Sequence, residues 1–215
     1  MIFAKIDYIN LLPLYLFLKK YIRSSATIAT IEHKKGVPSQ INISFKKRKI
    51  DAAIISSVES KGYRCTDLGI VANKKVLSVL VCEGENREDI ESNTSNVLAK
   101  ILELEGEVLI GDKALKKYFE NCKCKDLAEE WYNRYKLPFV FARLCFHSNE
   151  KFFKKMSRDF LKRKVKIPQY ILKKYAKRSG LTTKQISFYL KHIDYKIDAK
   201  AKKSLKKFIH LSKKI

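Results

Sequence analysis

One amide, one hydroxyl inside an apolar run and two pairs of adjacent hydroxyls are the side chains of this sequence best placed to do chemistry. Asn10 follows Tyr8-Ile9 at the end of the first apolar run and precedes Leu11-Leu12-Pro13-Leu14. An amide there can orient a substrate or stabilise developing charge, or it can simply cap the helix that follows. Ser78 interrupts Val76-Leu77-Ser78-Val79-Leu80, where a polar group needs a partner that a cleft would supply. Ser56-Ser57 and Thr94-Ser95 each stand where a strand is expected to give way to an amphipathic stretch. Helix N-termini expose free N–H groups and partial positive charge, so two of them facing one cleft could each grip a carboxylate. A dianionic small molecule fits that arrangement, and plain N-caps are the alternative.

Familiar catalytic signatures are missing: there is no G-x-S-x-G, no P-loop, no G-x-G-x-x-G and no H-E-x-x-H. The four histidines stand singly, and only His147, at the end of an apolar strand, is placed to approach a cleft. Cys65, Cys82, Cys122, Cys124 and Cys145 are odd in number and without paired spacing, which fits reduced thiols better than a disulfide framework. Cys122-Lys-Cys124 lacks the spacing and the second cluster of a zinc site, so no metal is expected.

The elements that must position these residues follow from the hydropathy pattern. Ile2 to Ile6, Leu11 to Ile22, Ala26 to Ile31, Pro38 to Lys47 and Ala52 to Ile55 read as a β-α-β-α-β rhythm, which predicts an α/β fold with a mainly parallel sheet. Ligand sites in such sheets lie at the carboxyl ends of the strands, which draws attention to Asp7 to Asn10, Ser56-Ser57 and Gly111-Asp112. Two further apolar runs, Val76 to Cys82 and Phe139 to Phe146, bracket a helix-strand-helix segment between Thr94 and Tyr135 and read as crossings between two lobes. After Glu150 the pattern is helical: Phe152 to Lys164, Pro168 to Arg178, Thr183 to Ile193 and Ala199 to Lys213. Gly180 suits a helix C-cap, and Thr182 or Thr183 an N-cap.

Within 215 residues the formal charge is +24, and residues 150–215 alone hold 22 Lys and Arg against 4 Asp and Glu. A positive field attracts any anion, so charge alone does not separate a nucleic acid from a small carboxylate or from a solubilising surface. The tail lysines alternate with Phe, Leu, Ile and Tyr at helical spacing, as on the solvated faces of core-packing helices, so no nucleic-acid partner is expected. The apolar N-terminus is broken by Asn10 and Pro13 and followed, not preceded, by lysines, unlike a secretory signal. No run approaches the roughly 18 apolar residues that span a bilayer, so a soluble, cytoplasmic protein without membrane attachment is expected.

Taken together, Tyr8-Ile9-Asn10-Leu11-Leu12-Pro13-Leu14-Tyr15, Asp51-Ala52-Ala53-Ile54-Ile55-Ser56-Ser57-Val58-Glu59, Thr94-Ser95, Gly111-Asp112-Lys113-Ala114-Leu115, Asp126-Leu127-Ala128-Glu129-Glu130-Trp131 and Leu137-Pro138-Phe139-Val140-Phe141-Ala142 occur in an order that resembles the chorismate dehydratase family of the futalosine route to menaquinone. The resemblance implies a two-lobed fold of the type II periplasmic-binding-protein kind with a C-terminal helical segment. Residues 1–79 with 146–215 would form one lobe and residues 80–145 the other, with the ligand between them.

The activity implied is a hydro-lyase reaction, elimination of water from chorismate to give 3-[(1-carboxyvinyl)oxy]benzoate, without a cofactor. By matching positions, Asn10 and Ser78 would be catalytic, and Ser56, Ser57, Thr94, Ser95, Gly111 and Asp112 would bind substrate. The chain departs from the family pattern in its shortened connections at Gly84 to Ser92 and Leu104 to Glu107 and in lacking an arginine before Thr94-Ser95. The alternatives are a non-catalytic small-carboxylate binding or sensing protein on the same fold and the related dihydroxynaphthoate synthase. That relative carries a histidine near the strand end where this chain has Gly111-Asp112. Monomer and homodimer both remain open.

Overall fold

Capping side chains, Ser24, Ser92, Asp126, Thr182 and Asp198, begin five of the ten α-helices in the computed structural model, which describes residues 1–215. The chain opens with β1 (Lys5–Ile6), a 3-10 turn at Ile9–Leu11, α1 (Leu12–Tyr21), α2 (Ser25–His33), β2 (Lys35–Gly36), α3 (Pro38–Lys46), β3 (Ala52–Ser56) and β4 (Arg64–Ala72). It continues through β5 (Val79–Cys82), α4 (Asn93–Ile101), β6 (Glu107–Ile110), α5 (Gly111–Phe119), β7 (Cys124–Asp126), α6 (Leu127–Tyr135) and β8 (Phe139–Phe146). The last third is α7 (Glu150–Leu161), α8 (Gln169–Ser179), α9 (Thr183–Leu190), β9 (Asp194–Lys196) and α10 (Ala199–Leu211).

Three sheets result: β1-β2, β3-β8-β4-β9 and β6-β5-β7. Only β1-β2 is a parallel ladder, supplemented by two isolated parallel bridges, Phe3 with Ala52 and Arg87 with Glu107; the strand pairs of the two larger sheets are all antiparallel. The expected mainly parallel sheet is therefore corrected. Two long strands, β4 and β8, lie side by side in opposite directions and dominate the sheet, a pairing between residues far apart that local rhythm does not reveal. The chain leaves this sheet after Ala72, forms the three-stranded sheet with α4 to α6 around it, and returns at Phe139.

Ala26 to Ile31 is helical and not a strand. Ser24 accepts a hydrogen bond from the Thr27 N–H as N-cap, and Thr27 and Ile31, four apart, are the buried positions of α2. Expected and observed helices agree closely after Glu150: Thr182 forms a capping box with Gln185, and Gly180 ends α8 at φ +73°. Fifty-one buried hydrophobic residues form the main core. Fully buried Trp131 of α6 donates through its indole N–H to Ser204 of α10 at 2.9 Å, which ties the middle segment to the last helix.

The cysteine expectation is also corrected. Cys65–Cys145 and Cys82–Cys124 are disulfides, and Cys122 alone is free. Each bonded pair occupies directly opposed positions on adjacent antiparallel strands, β4 with β8 and β5 with β7. Separations of 80 and 42 residues conceal such pairs in sequence. No helix is long and apolar enough to cross a membrane.

Candidate active site

Where the four-stranded and three-stranded sheets meet, a cavity of about 60 Å³ is lined mostly by apolar side chains, among them Ile6, Leu11, Ile54, Val76, Ile110 and Phe141. Its polar groups are few: Tyr8, Asn10, Ser56, Ser78, Ser92 and Ser95, with the backbone of Gly111. An apolar wall with a handful of convergent polar groups is the usual form of a small-molecule site. No lysine, arginine, histidine or carboxylate lines it.

Positive potential comes instead from the backbone. Leu11 precedes α1, Pro38 begins α3, Ser92 and Ser95 lie in the first turn of α4, and Gly111 begins α5, so four helix starts meet at one cavity. Each presents the positive end of a helix dipole, which suits a ligand with two carboxylates, although Pro38 has no N–H and the Leu12, Ser39 and Gly111 N–H groups are spent on the Ile9, Glu91 and Ser78 carbonyls. Ser56-Ser57, by contrast, does not begin a helix. Ser60 N–H bonds back to the Ser56 carbonyl at 2.9 Å, and the segment remains a turn before β4.

Asn10 lies in the 3-10 turn after β1, fixed from behind by Tyr195, whose hydroxyl donates to the Asn10 carbonyl at 2.6 Å. Its side-chain Oδ1 is buried and without a partner. Ser78 lies just before β5, not within it: Leu77 adopts φ +62°, and the Val76 and Leu77 N–H groups both donate to one Asp126 carboxylate oxygen, at 2.9 and 2.7 Å. The other oxygen of Asp126 accepts from Ala128 and Glu129 as the N-cap of α6. Burial pushes the Asp126 carboxyl up to about 6 against the pull of these four donors.

Ser78 is 1% exposed; its carbonyl accepts from Gly111 N–H at 2.8 Å, and its Oγ accepts from the Tyr189 hydroxyl at 2.8 Å. Gly111 has φ +67°, where a side chain is strained, and a Cβ there would stand 3.0 Å from the Tyr8 ring and crowd it. Ser56 is held by Asn42, whose Nδ2 donates to Oγ at 2.7 Å. Ser95 Oγ is 2.8 Å from Ser92 Oγ, and Ser92 caps α4.

Three expected residues stand behind the wall. Ser57 donates to the Val140 carbonyl and Thr94 Oγ1 accepts from Val58 N–H, which clips the turn after β3 to the start of α4. Asp112 accepts from Arg178 at 2.8 Å, while its second oxygen is buried without a partner, and burial pushes its carboxyl up. Arg178 also pairs with Asp7 at 2.8 Å; burial raises the Asp7 carboxyl, but Lys5 and Arg178 together hold it below the usual range.

His147 is not in the cavity. It stacks on Phe45 and bonds the Phe45 carbonyl at 2.8 Å, so its place is in the packing. Sequence reasoning missed Tyr8 and Ser92. Tyr8 donates to Glu91, a partner 83 residues away, and only the position of Ser92 two residues before Thr94 could have singled it out. No group of three His, Cys, Asp or Glu side chains is arranged to hold a metal ion.

A family model described as menaquinone biosynthesis matches residues 1–105 and 99–214. A protein of Campylobacter jejuni named chorismate dehydratase is 50% identical over 218 residues, which cover 99% of this chain and 98% of that protein. Among solved structures, a protein from Archaeoglobus fulgidus superposes with a TM-score of 0.70 at 15% identity, covering 99% of this chain and 96% of the other. A Candida albicans protein described as having the generic periplasmic binding protein fold gives a TM-score of 0.60 at 10% identity, with 99% and 90% covered. At such identities the two structures show the fold alone, and it is the periplasmic-binding-protein type.

Proposed function

The chain belongs to the menaquinone biosynthesis family and is a close homologue of a chorismate dehydratase, and we propose that it is a hydro-lyase that removes water from chorismate to give 3-[(1-carboxyvinyl)oxy]benzoate. The observation that carries this reading is 50% identity along 99% of the chain. The cavity supports it: an apolar slot suits the ring, and helix starts with serine hydroxyls suit two carboxylates without a charged side chain.

In the reaction a proton leaves the ring carbon that bears the ether, the hydroxyl leaves its neighbour, and aromatisation drives the elimination. The proton and the hydroxyl together make the water released. No histidine or carboxylate lines the cavity to take the proton, so the enolpyruvyl carboxylate of the substrate itself is assigned as acceptor. Asn10 and Ser78 then hold that carboxylate and the departing hydroxyl, and the site's contribution is chiefly orientation. Ser56, Ser95 and Gly111 bind from the wall, while Ser57, Thr94 and Asp112 act by holding their neighbours.

The two-lobe partition, residues 1–79 with 146–215 and residues 80–145, belongs to the same reading, with closure over the substrate. So do action in the cytoplasm and a small-molecule partner only. Purified protein incubated with chorismate, its product followed by absorbance and mass, tests the reading. Aromatic product supports it; tight binding without product would make the chain a sensor, and neither binding nor product would overturn the substrate assignment.

A further inference from the structure

Two hydroxyls meet behind the cavity wall. Tyr189 of α9 is 1% exposed, and its phenolic O–H donates to Ser78 Oγ at 2.8 Å. A phenol is the more acidic partner of an aliphatic hydroxyl, so the direction of the bond follows from chemistry as well as geometry. Burial, first of all, pushes the Tyr189 phenol well up, which keeps it a proton donor at every physiological pH. The Ser78 backbone is fixed on the other side, through its carbonyl, by Gly111 N–H at 2.8 Å.

Ser78 thus has one oxygen lone pair spent on Tyr189 and its own proton unspent, and it lines the cavity. Were Tyr189 absent, that proton would be free to turn away from the ligand. We propose that Tyr189 is a positioning residue, which by donating to Ser78 Oγ aims the Ser78 proton into the cavity at an oxygen of the substrate. A hydroxyl that accepts one hydrogen bond also donates a stronger one, so the same contact strengthens Ser78 as a donor to the departing hydroxyl. The inference rests on the dehydratase reading above and gives α9 of the lysine-rich tail a task in the site. The same segment supplies Tyr195, which holds the Asn10 carbonyl at 2.6 Å.

The test is a double-mutant cycle on chorismate turnover with Tyr189→Phe, Ser78→Ala and the pair. Tyr189→Phe keeps the ring and loses the donor. The expected result is a fall in kcat of about ten-fold with KM within about two-fold, and no further loss when Tyr189→Phe is combined with Ser78→Ala. Equal losses in both backgrounds, or a change in KM and Tm without one in kcat, would show a merely structural tyrosine and overturn the proposal. If Tyr189→Phe does not fold, 3-fluorotyrosine at position 189 keeps size and hydroxyl while making a more acidic donor. A changed kcat at constant KM then supports the proposal, and an unchanged kcat contradicts it. Absence of turnover in the wild-type protein would instead defeat the dehydratase reading, so the two failures are distinguishable.

Discussion

Asn10 and Ser78 divide the work that the cavity can do, since one lines it with an amide whose Nδ2–H can donate to a carboxylate and the other with a hydroxyl whose proton is unspent. Replacing either by alanine is expected to reduce kcat by about 10²–10³, the usual cost of one preorganised polar contact to developing charge. Steady-state kinetics beside a melting curve checks this; full turnover in both folded variants would remove them from the mechanism. These two were legible in sequence because each is a polar residue next to or inside an apolar run. Tyr8 and Tyr189 were not, because a tyrosine among leucines reads as core until its hydroxyl's partner, 83 or 111 residues away, is known.

Among elements, Asp126 joins a helix start to the bend that carries Ser78, capping α6 with one oxygen and holding the Val76-Leu77 N–H groups with the other. Its folded value near 6 lies above the unfolded value near 4. Its contribution to stability is therefore complete below pH about 4 and is lost as pH rises through about 6. The difference in denaturation midpoint between wild type and Asp126→Asn is expected to change across that window and to flatten above it. A difference that stays constant with pH would contradict the assignment.

Arg178 of α8 bridges Asp7, beside Tyr8, and Asp112, beside Gly111, at 2.8 Å each. Arg178→Met is expected to raise KM for chorismate several-fold with a smaller effect on kcat, because the two walls lose their common tie. Unchanged KM would make the bridge incidental. Element positions after Glu150 were readable from caps and helical spacing. The antiparallel β4-β8 pair and the helix at Ser25–His33 were not: strand direction depends on distant partners, and β-branched Thr and Ile disguise a helix fixed by its Ser24 cap.

For the whole molecule, a charge of +24 surrounds a cavity that contains no charged side chain. The field can draw a dianion toward the cleft, but beyond a Debye length it is screened. KM for chorismate is expected to rise as salt increases from about 0.01 M to about 1 M, where the screening length falls from about 30 Å to about 3 Å, with kcat nearly constant. A flat KM would confine the charge to solubility. The motif order carried the fold type and family from sequence alone, whereas the disulfides and the antiparallel sheets needed the folded chain.

The most direct test of the central claim, a water elimination that uses no protein base, is the pH dependence of kcat with chorismate as substrate. The expected profile is flat from about pH 6.5 to about pH 9, because both substrate carboxylates stay ionised and no histidine or carboxylate lines the cavity. A limb of unit slope centred in that range would reveal a titrating protein base and contradict the mechanism.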